Sequence, residues 1–369
     1  MIPDDIKQKK QGPNWQVLFF ITLGAFIVLT ALSIFCRPGA SDSPLAKPQI
    51  VPALPAAGPS TTPSAAASQP VPAAPQTATP PQPEKKNDTY AITVKISASF
   101  YNTFSDDTEI ARIAAETGRK RLAELLSAHV ARNLVWSLDM RRDVYPGDEM
   151  KLLFRVIPEE EQVKRADIPD EIELLAMQYR SIRLGKEIRF YQFKSSDRKF
   201  PAYYLADGTA VEKTLKKSPL KEWIQITSLL KDRRPKHDGL DFKALVGTPV
   251  YAPFGGTVEK TNWKMRYNGV SLLARLDTDP AVWMVLLHLD KVHVKPGQRF
   301  AAGDHIADVG NSGRSFGPHL HYQLQYESSK TKKIIDPVKY HGTVAAKLPA
   351  ADADAFQKVV QRFDALMGK

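Results

Sequence analysis

Thirteen of the chain's 28 prolines fall between residues 37 and 86, where Ala, Ser, Thr and Gln supply most of the rest. A stretch of this composition cannot bury a core, so the 369-residue chain cannot fold as one continuous body. It should be a disordered, partly polyproline-like linker. Fully extended, its 50 or so residues would reach on the order of 150 Å; as a flexible coil, about 40 Å.

What precedes the linker is apolar. Residues 17–35, VLFFITLGAFIVLTALSIF, carry no charge. As a helix they would span about 28 Å, close to the hydrocarbon thickness of a bilayer. Trp15 lies at one edge, and Lys7, Lys9 and Lys10 precede the run, which puts the N-terminus on the cytoplasmic side. The run is longer than a usual signal-peptide core and no small-x-small cleavage site follows. The reading is an uncleaved single-pass anchor at 15–36, after a cytoplasmic tail at 1–14, with linker 37–87 holding the folded part away from the membrane.

Folded sequence begins near Asp88. AITVKISASF alternates as a strand does, and the stretch from Ser105 to Trp136 has helical periodicity. Asp106 and Glu109 are placed to cap it and Gly118 to divide it in two. Residues 88–225 read as a mixed α+β domain without a reactive cluster, His129 being structural. From 226 to 342 the texture is short strands broken by Gly, Pro, Asp and Asn, a β-rich antiparallel domain. Residues 343–369 read as a tail with an amphipathic helix. The fold class is α+β.

Charge and cysteine narrow the chemistry. The formal net charge is +11, which serves solubility and also suits polyanions: nucleic acid, anionic lipid or an acidic wall polymer. The basic residues form no aromatic-interleaved pattern and no nucleic-acid motif, so nucleic acid is not an expected partner. A single cysteine, Cys36, excludes an intrachain disulfide framework and a thiolate metal cage.

Three segments of the β-rich region carry chemistry: KHDGLDF, VLLHLD and GPHLHYQ. They supply His237, Asp241, His288, His319 and His321. In a strand, His319 and His321 point to one face, roughly 7 Å apart. His237 and Asp241, four apart, would be about 13 Å apart in a straight strand; Gly239 between them suggests a bend that brings them together. With one histidine of the pair they make a three-ligand metal site, leaving one position open, as catalytic zinc sites do. The two remaining imidazoles suit proton transfer and charge stabilisation in amide hydrolysis.

In order and spacing, HDGLDF, GTPVYAPFGGTV, LLHLD and VKPGQRFAAGDHIADVGNSGRSFGPHLHYQL resemble the lysostaphin-type (LytM) zinc peptidases of peptidoglycan. The resemblance implies that His237, Asp241 and His321 hold Zn2+, that His319 is the general base and that His288 stabilises the transition state. Weaker likeness in LVWSLDMRRDVYPGDEMKLLFRV, GTAVEKTLKKSPL and KLPAADADAFQKVV extends to membrane-anchored murein DD-endopeptidases of Gram-negative envelopes, some of them autoinhibited by an upstream domain. It implies an enzyme of the bacterial inner membrane with its catalytic domain in the periplasm, acting on peptidoglycan, and leaves room for a regulatory envelope protein. The alternative is a non-catalytic relative that activates wall amidases, which should lack one or more of the five residues.

Overall fold

Two antiparallel sheets, each with its own apolar core, organise residues 88–368. The computed structural model describes residues 88–97, 99–164, 170–230, 232, 236–277, 282–327 and 332–368. The expected anchor and linker lie outside the described residues. Among the described residues no helix is long and apolar enough to cross a membrane.

The first sheet is a meander of five strands in chain order: β1 (Thr89–Lys95), β2 (Glu149–Val156), β3 (Ile172–Ser181), β4 (Lys186–Phe193) and β5 (Ala202–Leu205). Alternation along these strands gives the sheet two buried faces. Leu152 and Phe154 of β2 and Phe190 of β4 face a core with Phe104, Ile113, Leu126 and Val130, from three helices at Phe100–Ser105, Thr108–Thr117 and Leu122–Leu134. Leu153, Ala176 and Tyr191 face the other way, onto Phe356, Val360 and Phe363 of the C-terminal helix, Ala353–Met367. The end of the chain thus returns to the first sheet and covers it. The Tyr191 hydroxyl donates to Asp364 Oδ1 at 2.8 Å on that side.

Local signals explain the helix ends. Gly118 caps Thr108–Thr117 with φ +72°, a left-handed conformation that glycine adopts without steric cost. The N-cap is Asp107, whose Oδ1 accepts from the amides of Glu109 and Ile110 at 3.0 and 2.9 Å. The expected Asp106–Glu109 pair is therefore off by one residue.

After β6 (Thr214–Leu215), which pairs with β17 (Thr343–Val344), the chain builds a ten-stranded sheet. Its strands are β7 (Gln225–Ser228), β8 (Leu240–Lys243), β9 (Pro249–Tyr251), β10 (Gly256–Thr261), β11 (Val270–Leu276), β12 (Val282–Val292), β13 (Arg299–Phe300), β14 (His305–Val309), β15 (His319–Glu327) and β16 (Lys332–Ile335). The central order is β13-β10-β11-β12-β15-β8-β7; β14 pairs with β12 and β9, and β16 with β15. Leu240, Phe242, Leu320, Tyr322, Leu324 and Met284 fill the core beneath, together with Leu215, Leu220 and Trp223. A boundary at 225/226 falls inside β7, and residues that join this core begin ten positions earlier.

The two cores touch. Trp136 packs against both, and Lys243 of β8 donates to Asp170, just before β3, at 2.7 and 3.0 Å.

Candidate metal centre and its histidines

Strand β15 pairs antiparallel with β8 so that His321 lies opposite Asp241 and His319 opposite Lys243. Residues directly opposite share a face, so the four project together, and this register makes the site. His237 reaches it through the turn at Gly239. A Cβ there would lie 2.5 Å from the Tyr322 carbonyl oxygen and 3.1 Å from His321 Cε1. Only a residue without a side chain lets the turn sit this close to β15.

His237 Nε2, Asp241 Oδ1 and His321 Nδ1 form a triangle: 3.0 Å from His237 to Asp241, 2.9 Å from His321 to Asp241 and 3.1 Å between the imidazoles. All three residues are buried. Burial alone would raise the Asp241 pKa, but hydrogen bonds to His237 and His321, and their charge, outweigh it and hold the carboxyl well below the usual carboxylate range.

The triangle fits a tetrahedral ion. At metal–ligand distances of about 2.0–2.2 Å, two ligands of one zinc ion stand about 3.3 Å apart. The outer contacts agree. His237 Nδ1 lies 3.0 Å from the Leu229 carbonyl oxygen, so with an ion in place it would carry the proton and leave the Nε2 lone pair to the ion. His321 Nε2 faces Gln323 Oε1 at 3.4 Å, leaving Nδ1 as the donor atom toward the centre. Two imidazoles and one carboxylate are a donor set that zinc accepts.

The other two imidazoles stand beside this centre. His319 Nε2 is 3.9 Å from Asp241 Oδ1. Its Nδ1 lies 2.8 Å from the Gly317 carbonyl oxygen and 3.1 Å from Ser315 Oγ. Its ring centre is 4.7 Å from that of His288, which in turn is 6.3 Å from that of His321. His288 Nδ1 is 2.9 Å from the Ser312 carbonyl oxygen. Burial pushes the His288 pKa down to about 4, so its imidazole is neutral near pH 7.

His288 is held unusually. The register of β12 on β11 shifts between Val270 and Leu272, and His288 has φ +63°. A bulge with a non-glycine residue in the left-handed region is costly, and such strain collects at functional sites.

The structure therefore brings together all five residues singled out from the sequence. The carbonyls of Leu229, Ser312 and Gly317 that orient the rings carry no sequence signal. Gln323 does, being two residues after His321 on one strand. Of the remaining histidines, His293 and His305 are partly exposed, each with Nε2 at 2.7 Å from one oxygen of Asp308. His341 is buried: its Nε2 accepts from the Tyr322 hydroxyl at 2.7 Å. The amphipathic turn of Pro337–His341 presents it to the core.

Comparison with known proteins matches residues 235–337 to Peptidase family M23. The peptidoglycan DD-endopeptidase ShyC of Vibrio cholerae is 28% identical over 252 residues, 65% of this chain and 52% of that protein. The peptidoglycan DD-endopeptidase ShyA of the same organism is 27% identical over 200 residues, 50% of this chain and 42% of that protein. A crystal structure of a zinc-containing peptidase from Vibrio cholerae aligns with 71% of each chain at 23% identity, TM-score 0.30. The chain spans about half the length, or less, of these curated relatives. The segments that bring His237, Asp241, His288, His319 and His321 together are thus those of a peptidase M23 (LytM) domain.

Proposed function

We propose that the chain is a zinc-dependent endopeptidase that hydrolyses peptide cross-links of peptidoglycan, anchored by residues 15–36 in the bacterial inner membrane with its site in the periplasm. The observation that carries the reading is the convergence of His237 Nε2, Asp241 Oδ1 and His321 Nδ1 within 3.1 Å of one another, with His319 and His288 alongside. The names of the curated relatives support the substrate. The uncharged run before the proline-rich segment supports the anchor.

His237, Asp241 and His321 would hold zinc, which supplies Lewis-acid polarisation of the scissile carbonyl. The remaining work falls to side chains of this chain. With its Nδ1 proton directed to the Gly317 carbonyl, His319 turns Nε2 toward the ligand cluster as the base. It takes a proton from the attacking water and returns it to the leaving amine. His288, beside it, is the second imidazole; neutral near pH 7, it would take up a proton only as negative charge develops on the substrate oxygen. Asp241 stays ionised near pH 7, because its histidine partners hold its carboxyl well below the usual carboxylate range. The retention of all five residues speaks against the non-catalytic activator.

The test is incubation of the full chain with purified peptidoglycan sacculi, with and without a zinc chelator, and mass spectrometry of the products. Chelator-sensitive loss of cross-linked peptides is expected. Intact sacculi after incubation with protein shown to hold stoichiometric zinc would overturn the reading.

A further inference from the structure

The face of the sheet that carries the histidine cluster continues beyond it. Across β8, β15 and β12, Asp241, His321 and Leu287 form one row. The next row, about 7 Å along the strands, runs Gln323, Val285, Leu273, Lys260 across β15, β12, β11 and β10. Over it lies a cavity of about 280 Å³ lined by Lys260, Trp263, Lys264, Gln323, Gln325 and Lys332, with Leu273, Val285 and Leu287 as its apolar floor.

Its polar lining is built. Gln323 and Gln325 are 5% and 4% exposed, and Gln323 Nε2 donates to Gln325 Oε1 at 2.6 Å. Buried carboxamides at the edge of an open groove are costly unless they meet polar partners. The wall opposite is a rigid turn. Asn262 and Lys264 have φ +55° and +52°, the Asn262 amide donates to the Ser271 carbonyl at 2.9 Å, and Asn268 Nδ2 donates to the Trp263 carbonyl at 3.0 Å. This strained turn places Trp263 and Lys264 on the groove, with Lys260 Nζ 5.6 Å from the Trp263 ring centre. Three lysines border the cavity, and among the described residues that line it there is no carboxylate. Like charges gathered together repel, and an anion bound among them relieves the repulsion.

We propose that this groove is the subsite for a carboxylate-bearing residue of the peptide substrate, one or two residues from the bond cleaved. Lys260, Lys264 and Lys332 pair with the carboxylate. Trp263 and the apolar floor take the aliphatic part, and Gln323 and Gln325 take the peptide backbone. This rests on the endopeptidase reading, because the groove's position one row from His321 matters only if that is where a peptide is cut. The volume holds a residue or two rather than a whole drug-sized ligand.

The experiment measures binding and cleavage separately on the full chain. The probes are a fluorescein-labelled tetrapeptide containing one glutamate and its glutamine counterpart. The variant combines Lys260→Gln, Lys264→Asn and Lys332→Gln; all three lysines are exposed, and asparagine tolerates the left-handed φ at 264. Fluorescence anisotropy should show the wild-type chain binding the glutamate peptide roughly tenfold more tightly, the sum expected of three exposed ion pairs. The variant should bind both peptides alike, at the wild-type affinity for the glutamine peptide, and raised salt should erase the wild-type preference. An equal ratio in variant and wild type, or no preference in the wild type, overturns the subsite. Zinc-loaded chain that cuts neither peptide nor sacculi overturns the endopeptidase reading, while the anisotropy ratio still decides whether the groove reads a carboxylate.

Discussion

Replacing Gly239 by alanine should damage the metal centre without touching a ligand. The added methyl would sit 2.5 Å from the Tyr322 carbonyl oxygen, about 0.9 Å short of ordinary contact, and backbone cannot swing aside as a side chain can. His237 and Asp241 lie two residues to either side, so relief of the clash moves both relative to His321. Their donor atoms are spaced at 2.9–3.1 Å, and a metal site tolerates errors of only about 0.2 Å in its distances. Metal affinity should fall roughly ten- to hundredfold, as it does when groups that orient ligands are lost. Overpacking should cost about 1–3 kcal/mol of stability. Competition against a chromophoric zinc chelator gives the affinity, and denaturant unfolding of the metal-free chain gives the stability. Gly317→Ala is the control, since a Cβ there meets nothing within 4 Å. If Gly239→Ala bound zinc as the wild type does while remaining equally stable, close approach would not be what holds His237 in place.

Other expectations follow from the same geometry. His321→Ala should lose both zinc and activity, whereas His319→Ala should keep zinc by metal analysis and lose on the order of 10²–10⁴ in rate, the usual contribution of a general base; normal zinc in His321→Ala would sink the assignment. At position 288, glycine should give a chain about 1 kcal/mol more stable than alanine, because φ is +63° there; equal denaturation midpoints would show that the bulge relaxes. His341 has its pKa pushed down to about 4 by burial first and then by the Lys217 charge, against 6.5 when unfolded. The unfolded chain therefore binds a proton that the folded chain refuses, and stability should fall as pH drops from about 6.5 to 4, by roughly 3 kcal/mol at most. His341→Gln removes the titrating group while offering Tyr322 an acceptor. Its unfolding free energy should vary less between pH 7.5 and 4.5, and an unchanged pH profile would count against the argument.

What could be read from the sequence was local. The two-residue period of a strand sufficed to put His319 and His321 on one face, and Gly239 marked the bend that returns His237 to Asp241. Periodicity likewise marked the C-terminal helix and Gly118 the break between helices. Partner choice was not written locally. That β8 pairs with β15 in the register placing Asp241 opposite His321 depends on two segments 80 residues apart meeting over a shared core. That the last helix covers the far face of the first sheet depends on Leu153, Ala176 and Tyr191 being apolar on the side that Phe104 does not reach. The burial of His341 has the same origin: one histidine in a short helix says nothing about the Tyr322 hydroxyl that meets it. The bulge at His288 is a mismatch between two strands and cannot be seen in either one.

The same strand period carries the argument past the histidines. If positions 319 and 321 face the site, so do 323 and 325. An outward face that ends in solvent has no reason to bury two glutamines to within a few per cent. Their burial means that the face is walled as well as floored, by the turn that holds Trp263 and Lys264. The sequence shows the alternation HYQLQ, and the fold adds the wall. Only with both does a polar pair on a strand become one side of a groove whose charge selects what lies in it.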